Sequence, residues 1–380
     1  MKRKFCLMLV LIYGMGGMLY ARSVSPTKPM NVSAVHLNSH PTPPTPPTPP
    51  TPPTPPQPPT PPRPPVHPPH APHPHHPPHP HHPHHGGTYF VISTVGVSTN
   101  KQETQPVYVQ PKKLTGKGVK IAIADSGISS HVEFNGKNVQ TANFTSSSGT
   151  YDAKNHGTGI AGIIGAQGVN FRGLAPEAEL FVYKIDDGSR LVSPQAATSA
   201  INALLDYNEK HPYDKIVILN LSYGVSGDGD TALTQAINRA NEAGVFVVCP
   251  AGNAGSSGVY YPANLATTVA VGGSSQDGTR VTSSSSYGKE VDFVAPGEGI
   301  YTTNANGGYS MVNGTSASAA FVSAYAALVV EGFRNKYGRN PTVEEIKSYL
   351  IKATVPLTNV ARDKQGYGYI DVELLEREFL

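Results

Sequence analysis

Apolar residues in the last two thirds of this chain fall into two kinds of run. Val119–Ala124, Leu180–Ile185, Ile216–Leu221, Val245–Cys249 and Thr268–Val271 are short, unbroken and rich in Val, Ile and Leu. Runs of that length with no polar alternation predict strands covered on both faces. Between them, Gln195–Asn208, Asp230–Ala243 and Thr342–Lys352 space their apolar residues three and four apart, which predicts amphipathic helices. Ser316–Tyr337 is apolar on nearly every side and predicts a long buried helix. Alternating strands and helices predict an α/β domain over residues 88–380, a parallel sheet layered by helices. In open sheets of that kind, sites gather at strand carboxyl ends and at the helix starts that follow.

The first 87 residues read differently. Lys2, Arg3 and Lys4 precede the apolar run Cys6–Leu19, and Leu19-Tyr20-Ala21 ends it, so residues 1–21 read as an export signal. The expected destination is secreted or periplasmic, with no stable membrane insertion once the signal is cut. Residues 22–87 carry Thr-Pro-Pro repeats and then a Pro/His tract. Residues 41–83 hold 25 of the chain's 37 prolines. Proline fixes φ and removes the amide donor, so this disordered, Pro/His-rich arm is expected to be an extended polyproline II spacer. It would reach on the order of 130 Å at ~3.1 Å per residue. Ten of the 15 histidines lie between His67 and His85, a density of imidazole that suits Zn, Ni or Cu.

Charge narrows the partners. No acid occurs before Glu103, and the rest of the chain holds 26 acidic against 22 basic residues, a net of −4. That balance gives no reason to expect nucleic acid. Of two cysteines, Cys6 falls in the leader, so the mature chain has only Cys249 and no internal disulfide. No heptad pattern appears, and a monomer is expected.

The chemistry lies in three glycine-rich signatures. Asp125 ends the first strand in Ile123-Ala124-Asp125-Ser126-Gly127-Ile128. His156 opens His156-Gly157-Thr158-Gly159-Ile160-Ala161-Gly162, ahead of the helical segment Ile160–Ile164. Ser316 lies in Gly314-Thr315-Ser316-Ala317-Ser318 at the start of the long helix. An Asp, a capping Ser or a loop His alone is commonplace, but the order Asp…His…Ser with these contexts describes a nucleophilic serine, its base and the acid that orients the base. The helix start also offers Ser316 its own N–H and a positive helix end. Asn253, in Pro250-Ala251-Gly252-Asn253 after a strand, supplies a second donor for an oxyanion.

These signatures resemble the subtilisin-like serine protease family over roughly residues 106–380. Asn220-Leu221-Ser222-Tyr223-Gly224, Tyr261-Pro262-Ala263, Val294-Ala295-Pro296-Gly297 and Gly366-Tyr367-Gly368-Tyr369-Ile370-Asp371-Val372 are further matches. The resemblance implies a three-layer α/β/α sandwich with a mostly parallel sheet and an endopeptidase acting on polypeptide substrates. It implies that Ser222, Tyr223 and Gly224 pair with the substrate backbone, that Ala251 and Gly252 also bind substrate, and that Tyr260 falls at the floor of the primary specificity pocket. Tyr260 stands where the family often has a small residue, so a narrowed pocket for small or medium side chains is expected.

Other departures are plain. Gly159 replaces the family's usual second histidine, and Ala320-Phe321 its usual Pro-His pair. Gln167-Gly168-Val169-Asn170 is shorter than the common calcium loop, and no carboxylate occurs between His156 and Pro176, which argues against a strong calcium site there. A weaker calcium site elsewhere stays open, and no metal-ligating residues are assigned outside the His-rich arm. Proline forbids a folded prosegment in residues 22–87, leaving only a strand over Tyr89–Val95. The rival reading is an inactive protein of the same fold that binds peptide or metal through its cleft and arm; retention of Asp125, His156, Ser316 and Asn253 argues against it. An α/β-hydrolase esterase fails on the order of its triad and on its Gly-x-Ser-x-Gly signature.

Overall fold

The computed structural model describes residues 108–188, 192–227 and 229–380. The predicted leader, the Pro/His arm and the predicted strand Tyr89–Val95 lie outside the described residues. Chain order runs β1 (Lys120–Asp125), β2 (Val139–Asn143), α1 (Gly157–Gly165), β3 (Glu179–Lys184), α2 (Pro194–Lys210) and β4 (Ile216–Leu221). It continues through α3 (Thr231–Glu242), β5 (Phe246–Pro250), β6 (Val269–Ser274), β7 (Val291–Pro296), β8 (Ile300–Thr303) and β9 (Tyr309–Val312). It closes with α4 (Thr315–Tyr337), α5 (Val343–Lys352), β10 (Thr354–Val355), α6 (Arg362–Gln365), β11 (Tyr369–Ile370) and α7 (Val372–Arg377).

Nine strands form one sheet in the order β10-β11-β7-β6-β5-β4-β1-β3-β2, and β8 and β9 form a separate antiparallel hairpin. All neighbours in the large sheet are parallel except β10 and β11. The alternation of side chains divides each central strand between two cores. Ile121 and Ile123 of β1 and Phe246 and Val248 of β5 pack with α1 and α4; Ala122, Ala124, Val247 and Cys249 pack with α2 and α3. The result is the expected three-layer α/β/α sandwich. Cys249 is buried, and burial pushes its thiol well above the ordinary value, so it behaves as a small apolar residue.

The chain leaves β1 for β2 and β3 on one side, then crosses to β4 on the other. Strand order therefore reverses beside β1, and a crevice opens at the carboxyl ends of β1 and β4. The pairing of Ala124 with Leu221 brings Asp125 and Ser222 to the same level at that crevice.

Segment 112–116 is tied to the far end of the chain by two acids. Glu376 accepts the N–H groups of Lys112, Lys113 and Leu114, and Glu331 accepts those of Thr115 and Gly116. Charged acceptors on otherwise orphaned amides make a strong clasp between α4, α7 and the start of the domain.

The elements that the apolar pattern does not reveal have physical reasons. β2 (VQTAN) is an edge strand with only half-buried or exposed side chains. β8 and β9 are rich in Tyr, Ser and Thr, and β10 and β11 span two residues each.

Candidate active site

Asp125 is the last residue of β1 and is 3% exposed. Its Oδ1 lies 2.8 Å from His156 Nδ1 and accepts the Ser126 N–H at 2.6 Å. A carboxylate can only accept here, so Nδ1 carries the proton and Nε2 is left for the cleft. Burial alone would raise the Asp125 carboxyl. The His156 charge, the His156 and Ser126 hydrogen bonds and the nearby Ser222 hydroxyl outweigh it, holding the group below the ordinary aspartate value. The Asp125 charge in turn raises His156 above the ordinary histidine value against the opposing effect of burial, with smaller help from Asp152 and Asp186. The His156 side chain keeps 42% of its surface exposed, so it is open to a substrate.

Asp152, unremarked in the sequence, holds the approach to His156. It is 1% exposed; its Oδ1 accepts the Ser126 hydroxyl at 2.7 Å, and its Oδ2 accepts the Thr158 N–H at 2.8 Å. The Ser126 hydroxyl oxygen also accepts the Gly157 N–H at 2.9 Å. These bonds satisfy the first amides of α1 and pin the helix start against β1. An acid four residues ahead of the His is the signal that would have marked it. Gly157 is required by proximity: a Cβ there would run into the Gly127 carbonyl and sit 3.1 Å from Asp125 Oδ1.

Ser316 is the second residue of α4, half-buried, and lines one cleft of about 430 Å³ with Asp125, Ser126, Lys154, His156, Ile185, Asp186, Val192 and Ser222. Asn253 sits beside the same helix start. Its Oδ1 accepts both the Thr315 N–H (2.9 Å) and the Thr315 hydroxyl (3.0 Å). That fixes the amide orientation and leaves the Nδ2 donor pair uncommitted. Thr315 is thus a second residue that sequence reading passed over.

A contiguous pocket of about 330 Å³ is lined by Tyr223, Gly224, Gly252, Asn253, Tyr260 and Ser316, among others. Tyr260 lies over two glycines: a Cβ on Gly252 would fall 2.6 Å from its ring, and one on Gly224 3.6 Å from it. Ser222, Tyr223, Gly224, Gly252 and Tyr260 therefore meet at the cleft. Ala251 does not line it: its side chain is fully buried with the α2/α3 core, and its carbonyl accepts the Tyr260 N–H at 2.9 Å.

Two of the other sequence departures have local partners. Gly159 packs under β8, where an added Cβ would meet Thr302 Cγ2 at 3.3 Å, and the Thr302 hydroxyl donates to its carbonyl at 2.8 Å. The shortened loop after α1 closes on Glu133, a fully buried acid in the short 3-10 turn Val132–Phe134. Glu133 Oε2 accepts the N–H groups of Gly168 (3.0 Å) and Val169 (2.8 Å), and Oε1 those of Asn170 (2.6 Å) and Phe171 (2.8 Å). The Tyr309 hydroxyl donates a fifth bond at 2.7 Å. Burial raises this carboxyl, but the Tyr309 bond and the backbone amides together lower it below the ordinary glutamate value. Four inward N–H donors suit an anion; a cation requires oxygens in their place.

The profile of the Subtilase family, Peptidase_S8, matches residues 116–369. The chain is 35% identical to Subtilisin BL of Lederbergia lenta over 274 residues, 70% of this chain and 93% of that one. It is 33% identical to M-protease of Shouchella clausii over 269 residues, 70% of this chain and 66% of that protein's length. In three dimensions it matches the protease domain of PatA, solved as a serine-to-alanine mutant, with a TM-score of 0.62 at 23% identity, over 70% of this chain and 97% of that one. The last of these speaks for the fold alone; the profile and the two sequence relatives together show that this chain belongs to the subtilase family of serine-type endopeptidases.

Proposed function

We propose that this chain is an exported endopeptidase that cuts polypeptides through Asp125, His156 and Ser316, with Asn253 assisting the oxyanion. The observation that carries this reading is the 2.8 Å bond from His156 Nδ1 to buried Asp125, in the cleft that Ser316 also lines. His156 Nε2 takes the Ser316 proton as Oγ attacks the peptide carbonyl, then gives it to the leaving amine. Asp125 stays ionised and stabilises the imidazolium. Negative charge on the carbonyl oxygen is met by the Ser316 N–H, at the positive end of α4, and by Asn253 Nδ2. Substrate runs as an added strand along Ser222-Tyr223-Gly224, and Tyr260 restricts the residue before the cut to small or medium side chains. The chemistry needs no cofactor. Export rests on the basic-apolar leader over residues 1–21.

The test uses the full chain and Ser316→Ala, each incubated with unfolded casein and with a serine-directed fluorophosphonate. Casein cleavage and labelling that both vanish in Ser316→Ala are expected. A folded chain that neither cuts nor labels would overturn the reading.

A further inference from the structure

Behind Asp125 a line of buried polar groups runs away from the cleft into the α4 layer. Ser323, two turns along α4 from Ser316 and fully buried, donates its hydroxyl to Asn220 Oδ1 at 3.0 Å. Asn220, on β4 and also fully buried, donates from Nδ2 to Ser222 Oγ at 2.9 Å. Ser222 Oγ, already an acceptor, keeps its own proton to give. Parallel pairing of β1 with β4 sets Ser222 level with Asp125, whose Oδ2 is buried and accepts no bond of ordinary geometry. Such an oxygen is costly unless a donor reaches it.

The line has a direction, and the Asn220 amide carries it. The Asn220 amide could sit either way round. With Oδ1 toward Ser323, its NH2 faces Ser222 and leaves the Ser222 proton for Asp125 Oδ2. Reversed, Asn220 Oδ1 would take the Ser222 proton and none would be left for Asp125 Oδ2. We infer that Ser323 is a positioning residue for this active site: by donating to Asn220 it fixes the amide orientation that turns the Ser222 hydroxyl toward Asp125.

This deepens the proposed role of Asp125 and rests on it. Loss of the Ser222 dipole leaves more of the Asp125 charge acting on His156, so the imidazole titrates at higher pH. The other charged groups around His156 are Asp152 ahead of α1, Asp186 after β3, and Lys154, whose Nζ pairs with Asp186 at 2.8 Å; none of them touches Ser323.

The experiment is made in the full chain carrying Ser316→Ala, so that it reads the relay whether or not the protein cuts peptides. Ser323→Ala removes the donor, and Ser323→Thr keeps it. NMR follows the His156 titration and the low-field proton on His156 Nδ1. Ser323→Ala is expected to raise the titration midpoint by a few tenths of a pH unit and to move the low-field resonance, while Ser323→Thr stays near the parent. In the chain with Ser316 intact, Ser323→Ala is expected to lower kcat about 3–10-fold with little change in KM, through a misplaced base. A His156 titration and resonance unmoved in Ser323→Ala would overturn the inference. So would equal shifts in Ala and Thr, which would reduce Ser323 to packing. Absence of cutting by the chain with Ser316 intact would strike the proposed function and leave the relay standing.

Discussion

Replacing Glu133 by Gln tests what holds the loop after α1. The carboxylate is fully buried and accepts four backbone N–H groups and one phenol. Gln keeps the shape but has one acceptor oxygen. Its less damaging orientation puts that oxygen on the Asn170, Phe171 and Tyr309 side and turns an NH2 against the Gly168 and Val169 amides. Two donors then lose their partner at about 1–3 kcal/mol each. Residues 167–170 are exposed, so water relieves part of this, and a cost of about 2–3 kcal/mol is expected. For a domain of this size that is a Tm lower by roughly 4–12 °C. The assay is thermal unfolding by circular dichroism of full chains carrying Ser316→Ala, with and without Glu133→Gln, at one scan rate. The folded pKa of Glu133 is lowered, so its contribution is complete above the ordinary glutamate value of about 4.3 and fades as pH falls through the lower folded value. The gap between the two chains should therefore be full at pH 7 and shrink below about pH 4. A drop under ~1 °C, or a gap that keeps its size through acid, would refute the reasoning. A chelator should leave the parent Tm unchanged; a loss on chelation restored by calcium would show that a cation shares the work.

Four further outcomes follow from the site. Asn253→Ala should lower kcat about 100–1000-fold with KM nearly unchanged, measured on a short chromogenic peptide; a loss under tenfold would remove Asn253 from the oxyanion site. Tyr260→Gly should shift cleavage of a peptide library toward large aromatic residues before the cut, and an unchanged profile would mean that the ring does not bound the pocket. His156 must be neutral to act and its pKa is raised by Asp125, so kcat/KM should fall as pH drops through that raised value. In Asp125→Asn the residual activity should be far smaller and its acid limb displaced to lower pH, seen in a pH–rate profile.

How much could be read from the chain alone follows from how local each signal is. Ile216–Leu221 as a strand and Ser316–Tyr337 as a helix match the structure to within a residue, because unbroken apolar runs and all-round apolar helices are dictated by burial on every side. The resemblance to the subtilisin-like family needed only short contiguous signatures around Asp125, His156 and Ser316. Edge strand β2, the β8–β9 hairpin and the two-residue strands β10 and β11 were not legible, since half-exposed or very short strands carry no strong period.

What only the tertiary structure decided is how distant residues answer one another. Asp152 and Ser126 meet 26 positions apart, Thr315 locks Asn253 across 62, and Ser323 orients Asn220 across 103. Glu133 fills a loop that the sequence marks only as short. Ala251, placed by its neighbours among the cleft residues, turns into the core instead. A residue type and its immediate neighbours set which chemistry is available and which segments must be buried. Hydrogen bonds between buried groups depend on sheet register and helix docking, and those are fixed only when the whole apolar interior closes.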